Sequence, residues 1–426
     1  VLDIKELRAE PEEARRRLSR RGDPAILETL DEALRLDLRR REILGEVEGL
    51  RAERNEASRE IGVLRSAGED ASELIGSMRS VSARVGALDE ELAGVEGALQ
   101  ACMMSLPNFP HPRVPEGLEG AFEVVHEEGT RPELGFEARP HWEIGEALGV
   151  LDLQRGAKIS GSGFPVLMGD GARLQRALID FMLDLHRDEH GYLEVAPPYV
   201  VTRDSMVGTG HLPKFEMDAY RTEPDDLYLV PTAEVPVTNL HRGEILDAER
   251  LPAAYVAYTP CFRREAGSAG RDTRGLLRVH QFDKVELVRL VAPESSDEAL
   301  ELLTGHAEDV LRRLEVPFRR ILLPTGDLGF ANAITYDLEV WAAGVAEWLE
   351  VSSCSSYGDY QARRADIRFR RGPGRSPEFV HTLNGSGVAL ARLIVALLEN
   401  GQREDGSVEL PEALHPYMGR GRLAAS

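Results

Sequence analysis

Cysteine and lysine are scarce in this chain of 426 residues. The three cysteines, Cys102, Cys261 and Cys354, lie far apart with no CxxC pair. That spacing excludes a disulfide framework and a zinc site built on cysteine alone. No apolar run approaches the roughly 20 residues that a membrane span needs. The first residues, VLDIKELRAEPEEARRR, are charged at once, with no apolar signal core. A cytoplasmic protein with no membrane partner is the expectation. A phosphate-binding GxxxxGKS or GxxxxGKT loop is also missing. SGSGFP at 160–165 contains GxG without the helix and spacing of a dinucleotide fingerprint, and reads as a loop. Proline is missing from about residue 27 to about residue 104.

Charge is lopsided. The formal net charge is −22, and the only lysines are Lys5, Lys158, Lys214 and Lys284. Positive charge is therefore almost all arginine, which suits bidentate phosphate contacts; a GC-rich genome gives the same bias. An acidic body still tolerates a local basic patch for a nucleic-acid partner.

The proline-free segment is charged and rich in Leu and Val, and it breaks near Ala67-Gly68-Glu69-Asp70. Its second half places Leu74, Met78, Val81, Val85, Leu88, Leu92, Val95, Leu99 and Cys102 at alternating spacings of four and three. That rhythm is the seam of a left-handed coiled coil. Val47, Leu50, Ala57, Ile61 and Leu64 keep the same rhythm in the first half, with Arg54 interrupting it. A short break between two seams predicts an antiparallel helical hairpin, each arm reaching roughly 50–60 Å. Arginines favour the first arm: Arg35, Arg39, Arg40, Arg41, Arg51, Arg54, Arg59 and Arg65, against Arg79 and Arg84 in the second. A simple dimerising coil and an arm that reaches a distant partner both satisfy this pattern.

SLPNFPHPRVPEG at 105–117 is rich in proline and reads as a linker. Beyond it, helical patterns at 171–191 and 297–316 mix with strand-like runs such as 192–201. There is no regular βαβ alternation, so the class is α+β. The stretch TPCFRREAGSAGRDTRGLLRVHQFDKVE (259–286) is the most informative. Strand alternation puts Arg263 and Glu265 on one face, and likewise Phe282 and Glu286. Such a face suits a small molecule with phosphate, amine and aromatic parts.

This stretch resembles motif 2 of class II aminoacyl-tRNA synthetases, in the form found in seryl-tRNA synthetases. PTAEVP (231–236) resembles the serine-binding TAE loop, HTLNGSGVALAR (381–392) motif 3, LEVSSCSS (349–356) the EISS motif, and 171–201 motif 1. The resemblance covers nearly the whole chain. It implies an N-terminal tRNA-binding domain at 1–110, with an antiparallel coiled-coil arm at about 27–104. A catalytic domain at 111–426 follows, an antiparallel sheet flanked by helices. The implied reaction joins serine to ATP, giving seryl-adenylate and pyrophosphate, and then passes serine to tRNA(Ser) and to selenocysteine tRNA. Homodimers and Mg²⁺ are further implications.

Residue by residue, the resemblance makes Arg263 and Arg392 catalytic. Arg263 bridges the amino-acid carboxylate and the α-phosphate, and Arg392 meets the γ-phosphate. Fixed positive charge is what two approaching anions require. The ATP set is Arg263, Arg264, Glu265, Val279, Phe282, Glu350, Val351, Ser352, Ser353 and Arg392. Glu265 takes the adenine amino group and Phe282 stacks on the ring. Glu350 and Ser353, hard oxygen donors, hold the metal. The serine set is Thr232, Ala233, Glu234, Glu286, Asn384 and Ser386. A buried acceptor such as Glu286 rejects analogues without a hydroxyl, although an ion pair with Lys284 is the plain alternative for it. Asn384-Gly385-Ser386-Gly387 reads as a loop ahead of an apolar helix at 388–398, which holds Arg392.

Three positions depart from the family. Arg264 replaces the usual serine, and alternation turns it away from the Arg263/Glu265 face. Ile334 replaces lysine and Tyr357 replaces cysteine; neither is expected to touch an assigned ligand. Arg271 and Arg274 are expected to meet the tRNA acceptor end. Two other readings stand beside this one: a synthetase-like paralogue that loads a small amino acid onto a carrier protein or serves a specialised pathway, and a non-catalytic regulator. The retained arginines disfavour the regulator.

Overall fold

The computed structural model describes residues 1–118, 120–266 and 274–425. The chain divides into two compact units, Val1–Pro107 and Asn108–Ser426.

The first unit is helical. Two short helices, Ile4–Ala9 and Pro11–Ser19, precede α1 (Pro24–Ala67) and α2 (Ser72–Ser105). Asp23 caps α1 by accepting the Ala25 N–H, and Pro24 occupies the first helical position, where its missing donor costs nothing. At the break, Gly68 takes a left-handed conformation (φ 77°) and Glu69 N–H donates back to Leu64 O. This is a Schellman ending, which satisfies the last carbonyls of α1. Asp70 then accepts from Ser72 N–H at 2.9 Å and starts α2.

The two helices pack along the predicted seam. Val81, Val85, Leu88 and Leu99 are buried, and the other seam positions of α2 are half-buried. Ile43 and Val47 of α1 form one cluster with Val85 and Leu88. Arg39–Glu91, Arg40–Glu96, Arg51–Asp89 and Glu46–Arg84 ion pairs cross the hairpin and fix an antiparallel register. Arg54, where the seam is interrupted, is exposed.

The second unit is built on a sheet of eight strands among the described residues. These are β1 (Glu123–Glu128), β2 (Leu193–Glu194), β3 (Ala253–Phe262), β4 (Gln281–Val291), β5 (Phe318–Leu322), β6 (Ile334–Ala342), β7 (Glu347–Ser356) and β8 (His381–Ala389). Their order is β1-β5-β6-β7-β8-β4-β3-β2, antiparallel except for the β2–β3 pair. Only short strands form within 192–201, because the double proline at 197–198 removes two ladder donors.

Helices α3 (Asp170–Asp188), α4 (Ser296–Arg313) and α5 (Leu390–Asn400) bury their apolar stripes against the sheet. Val285 and Leu287 of β4 enter that core. Alternation therefore directs Phe282, Lys284 and Glu286 to the opposite face. No helix among the described residues is long and apolar enough to cross a membrane.

Candidate active site

On that opposite face lies a cavity of about 440 Å³. Its walls include Thr232, Glu234, Arg263, Glu265, Val279, Phe282, Glu286, Glu350, Val351, Ser353, Asn384, Ser386 and Arg392. Residues spread over 160 positions of sequence thus converge: three neighbouring strands, β7, β8 and β4, present one face, and the loops and helix starts around it supply the rest. Glu286 stands opposite Ser386 in the β4–β8 register, and Asn384 opposite Ser355 in the β7–β8 register. Cross-strand partners of this kind are side-chain neighbours.

One end of the cavity is buried and acidic. Glu234 and Glu286 are 7% and 1% exposed, and burial raises the pKa of both above the ordinary carboxylate value. Both are nonetheless partnered. Lys284 Nζ pairs with Glu286 Oε2, so the ion pair read as a plain alternative exists within the cavity wall itself. Gln361 Nε2 donates to Glu234 Oε1 at 2.6 Å, and Gln361 Oε1 accepts from Thr382 Oγ1 at 2.6 Å.

The other end gathers arginine and carboxylate. β3 stops at Phe262, and Glu265 takes a positive φ of 51°, uncommon outside glycine. Strand alternation therefore does not govern Arg263 and Glu265, yet both line the cavity. The Arg263 guanidinium lies 5.3 Å from the Phe282 ring centroid, within cation–π range, and Glu265 pairs with Arg278.

Arg392, in the first turn of α5, is held from behind. Its Nε donates to Leu277 O at 3.0 Å and its Nη1 to Glu350 O at 2.9 Å. The 276–279 segment is itself fixed by a buried chain. His141 Nδ1–H donates to Glu399 Oε1 at 2.8 Å, and His141 Nε2 accepts from Leu276 N–H at 2.9 Å. Glu399 Oε2 also accepts from Gly344 N–H at 2.7 Å and Val345 N–H at 3.0 Å.

Glu350 and Ser353 are three apart, so a regular strand would place them on opposite faces. The β6–β7 register shifts by one residue between Ser352 and Glu350, leaving Val351 unpaired. This bulge turns Glu350 and Ser353 into the same cavity. Ser353 Oγ donates to Asp337, whose carboxyl is pushed well above its usual pKa by burial and by the nearby Glu350 charge.

Three residues of the sequence-based set do not line the cavity. Ala233 packs with Val237, Ala257 and Val288 in a small apolar cluster. Ser352 faces away and donates to Ser386 O at 2.5 Å. Arg264 is exposed, and its N–H donates to Asp218 O.

Other readings need correction. Asn384-Gly385-Ser386-Gly387 is not a loop; it lies within β8, and the helix starts at Leu390. Its glycines make room for protein atoms. A Cβ on Gly385 would sit 2.5 Å from Leu303 Cδ2, and one on Gly387 would sit 2.7 Å from His186 Nε2. Tyr357 does touch an assigned residue, since its hydroxyl donates to Asn384 Oδ1 at 3.1 Å. Ile334 is buried in the core, away from the cavity. Arg271 lies outside the described residues, and Arg274 lies over the Trp142 ring, its guanidinium 4.5 Å from the centroid.

His211, Arg278, Lys284, Asn332 and Tyr357 line the cavity without having been singled out as ligands. Arg278 and Lys284 fall inside the 259–286 stretch and Tyr357 directly follows 349–356, so those motifs and their flanks were the available signal.

Comparison with known proteins follows this geometry. Residues 1–110 match the seryl-tRNA synthetase N-terminal domain, and residues 214–401 match the tRNA synthetase class II core domain (G, H, P, S and T). The chain is 58% identical to the serine–tRNA ligase of Shouchella clausii strain KSM-K16, covering 98% of this chain and 99% of that one. A crystal structure of seryl-tRNA synthetase from Pyrococcus horikoshii complexed with ATP superposes with a TM-score of 0.96 at 39% identity, covering 100% of both chains. The cytoplasmic serine–tRNA ligase of Naegleria fowleri in complex with AMP gives a TM-score of 0.88 at 27% identity, covering 98% of this chain and 96% of that one.

Proposed function

This chain belongs to the seryl-tRNA synthetase family, and from that premise we propose how its residues divide the work of a serine–tRNA ligase. The reaction joins serine to ATP, giving seryl-adenylate and pyrophosphate, and then passes the seryl group to tRNA(Ser). The observation that carries the residue assignment is the single cavity in which a buried acidic end adjoins an arginine-rich end.

Thr232 and Glu234 take the serine ammonium, and Glu286 with Ser386 and Asn384 take its hydroxyl. Glu286 accepts from that hydroxyl, so alanine would leave a buried acceptor unpaired. Arg263 bridges the serine carboxylate and the α-phosphate while Phe282 stacks on adenine, with Glu265 and the Val279 backbone at its edge. The contact between the Arg263 guanidinium and the Phe282 ring supports a shared ligand at that point. Arg392, held by two main-chain carbonyls, meets the γ-phosphate without having to reorganise.

Glu350 and Ser353 fit Mg²⁺. Asp337, Glu350 and Ser353 bring hard oxygens together, and a divalent cation would offset the burial and the Glu350 charge that together disfavour the ionised Asp337. When bound, the ion would neutralise phosphate charge as pyrophosphate leaves.

Residues 1–110 serve as the tRNA-binding domain and 111–426 as the catalytic domain. The hairpin grips tRNA through the cations it leaves free. Arg54, Arg59, Arg65 and Arg79 are exposed and form no ion pair among the described residues. Selenocysteine tRNA is the second acceptor. The enzyme acts in the cytoplasm as a homodimer, a reading supported by Leu193, 63% exposed on the edge strand β2. Arg274 contacts the tRNA acceptor end.

The test offers each amino acid in turn for aminoacylation of total tRNA, together with ATP–pyrophosphate exchange. Serine alone should support both reactions. Exchange that ignores serine and answers another amino acid would overturn the assignment. The carrier-loading alternative is disfavoured, because full-length serine–tRNA ligases match the chain with its N-terminal hairpin included.

A further inference from the structure

Tyr357 departs from the family pattern, and it sits where the amino-acid end of the cavity closes. It follows directly on β7, is 5% exposed, and lines the cavity with Glu234, Glu286, Asn384 and Ser386. Its backbone is pinned on both sides. Its N–H donates to Thr382 O at 3.0 Å, and its carbonyl accepts from Asn108 Nδ2 at 2.8 Å. The ring is therefore fixed relative to β8, and its hydroxyl donates to Asn384 Oδ1 at 3.1 Å.

Asn384 is 4% exposed, and its Nδ2 makes no close hydrogen bond, although its amide lies near enough to the Glu234 carboxylate to favour the charged form. A buried amide nitrogen is costly to leave unpaired. With Oδ1 committed to Tyr357, the nitrogen is the end left for a ligand. An amide has two chemically different ends related by a half-turn, and burial alone does not choose between them. Two neighbours make that choice here: the Glu234 carboxylate, which can only accept, draws the nitrogen to its side, and the Tyr357 hydroxyl donates to the oxygen.

We infer that Tyr357 is a positioning residue for amino-acid selectivity, which locks the Asn384 amide so that its N–H₂ end faces the substrate hydroxyl. This rests on the assignment of Glu286, Ser386 and Asn384 to serine. A fixed, buried donor discriminates sharply, since alanine, lacking the oxygen, would leave it unpaired. A freely turning amide would present either end and would lose part of that penalty.

The experiment compares Tyr357→Phe with the unmodified protein by pyrophosphate exchange, using serine and alanine, and titrating ATP separately. Phenylalanine keeps the ring and removes only the pinning hydroxyl. The expected result is a serine-over-alanine preference in kcat/KM lowered roughly tenfold, the scale of one hydrogen bond to a buried group. The change should fall on the KM for serine, with the KM for ATP unchanged and the thermal midpoint lowered only by the loss of one buried hydrogen bond. An unaltered preference would overturn the inference. So would a parallel rise in both KM values, which marks a merely structural role.

Glu286→Gln is measured alongside. If it raises the KM for serine while Tyr357→Phe does nothing, the serine pocket stands and the role of Tyr357 falls. If neither variant affects serine, the pocket assignment fails and takes this inference with it.

Discussion

His141 donates from Nδ1 to Glu399 Oε1 at 2.8 Å, and both side chains are fully buried. The pair lies behind the cavity wall and reaches it through two links: Leu276 N–H onto His141 Nε2, and Arg392 Nε–H onto Leu277 O. His141→Ala leaves a buried carboxylate and a buried N–H short of partners. It should cost about 2–4 kcal/mol of stability. It should also raise the KM for ATP, because Arg392 loses one of its supports. Denaturant titration and pyrophosphate exchange measure the two effects.

Gly385→Ala tests the close approach behind β8. The added Cβ would lie 2.5 Å from Leu303 Cδ2 and 2.6 Å from Cys354 Sγ. Overpacking of this kind costs roughly 1–3 kcal/mol. Because Asn384 and Ser386 flank the site, adenylate formation should fall with stability. Adding Leu303→Ala should restore part of both, by thermal melting and exchange assays.

Acid should destabilise the protein through His186. Burial holds its folded pKa at about 3, against 6.5 for the free side chain. Between those values the unfolded chain binds a proton that the folded chain refuses, so stability falls as pH falls, by on the order of 1 kcal/mol per pH unit for one such group. His306, held at about 4 by burial, acts in the same direction. Buried Glu234 and Glu286, with raised values, oppose it, because the folded state takes up their protons first. The measurement is the slope of unfolding free energy between pH 7 and pH 5, which His186→Gln should flatten.

Replacing residues 53–82 with a short glycine–serine linker removes the outer hairpin, with Arg54, Arg59, Arg65 and Arg79. The inner cluster of Ile43, Val47, Val85 and Leu88 remains. Seryl-adenylate formation should be unchanged and tRNA charging should drop steeply. The salt dependence of tRNA binding should become shallower as phosphate contacts disappear. Unchanged charging would remove the arm from tRNA recognition.

The hairpin was legible because a seam repeats within one helix, and local spacing alone encodes it. The strand face carrying Phe282 and Glu286 was legible for the same reason. Arg392 and Asn384 came from motifs, whose residues are close in sequence. Gln361 reaches Glu234 across 127 positions, and His141 reaches Glu399 across 258, so no local pattern announces either partnership. The bulge at Val351 was also hidden. Period-two reasoning puts Glu350 and Ser353 on opposite faces, and only the partner strand's register corrects it.

The antiparallel hairpin makes reach an adjustable dimension. Its cross-helix links, such as Arg51–Asp89 and Glu46–Arg84, join neighbours along the arm and depend on nothing beyond it. A matched heptad added to α1 and α2 would lengthen the arm by about 10 Å and keep the seam in phase. The arm is thus a ruler whose length selection can set without disturbing a single catalytic side chain.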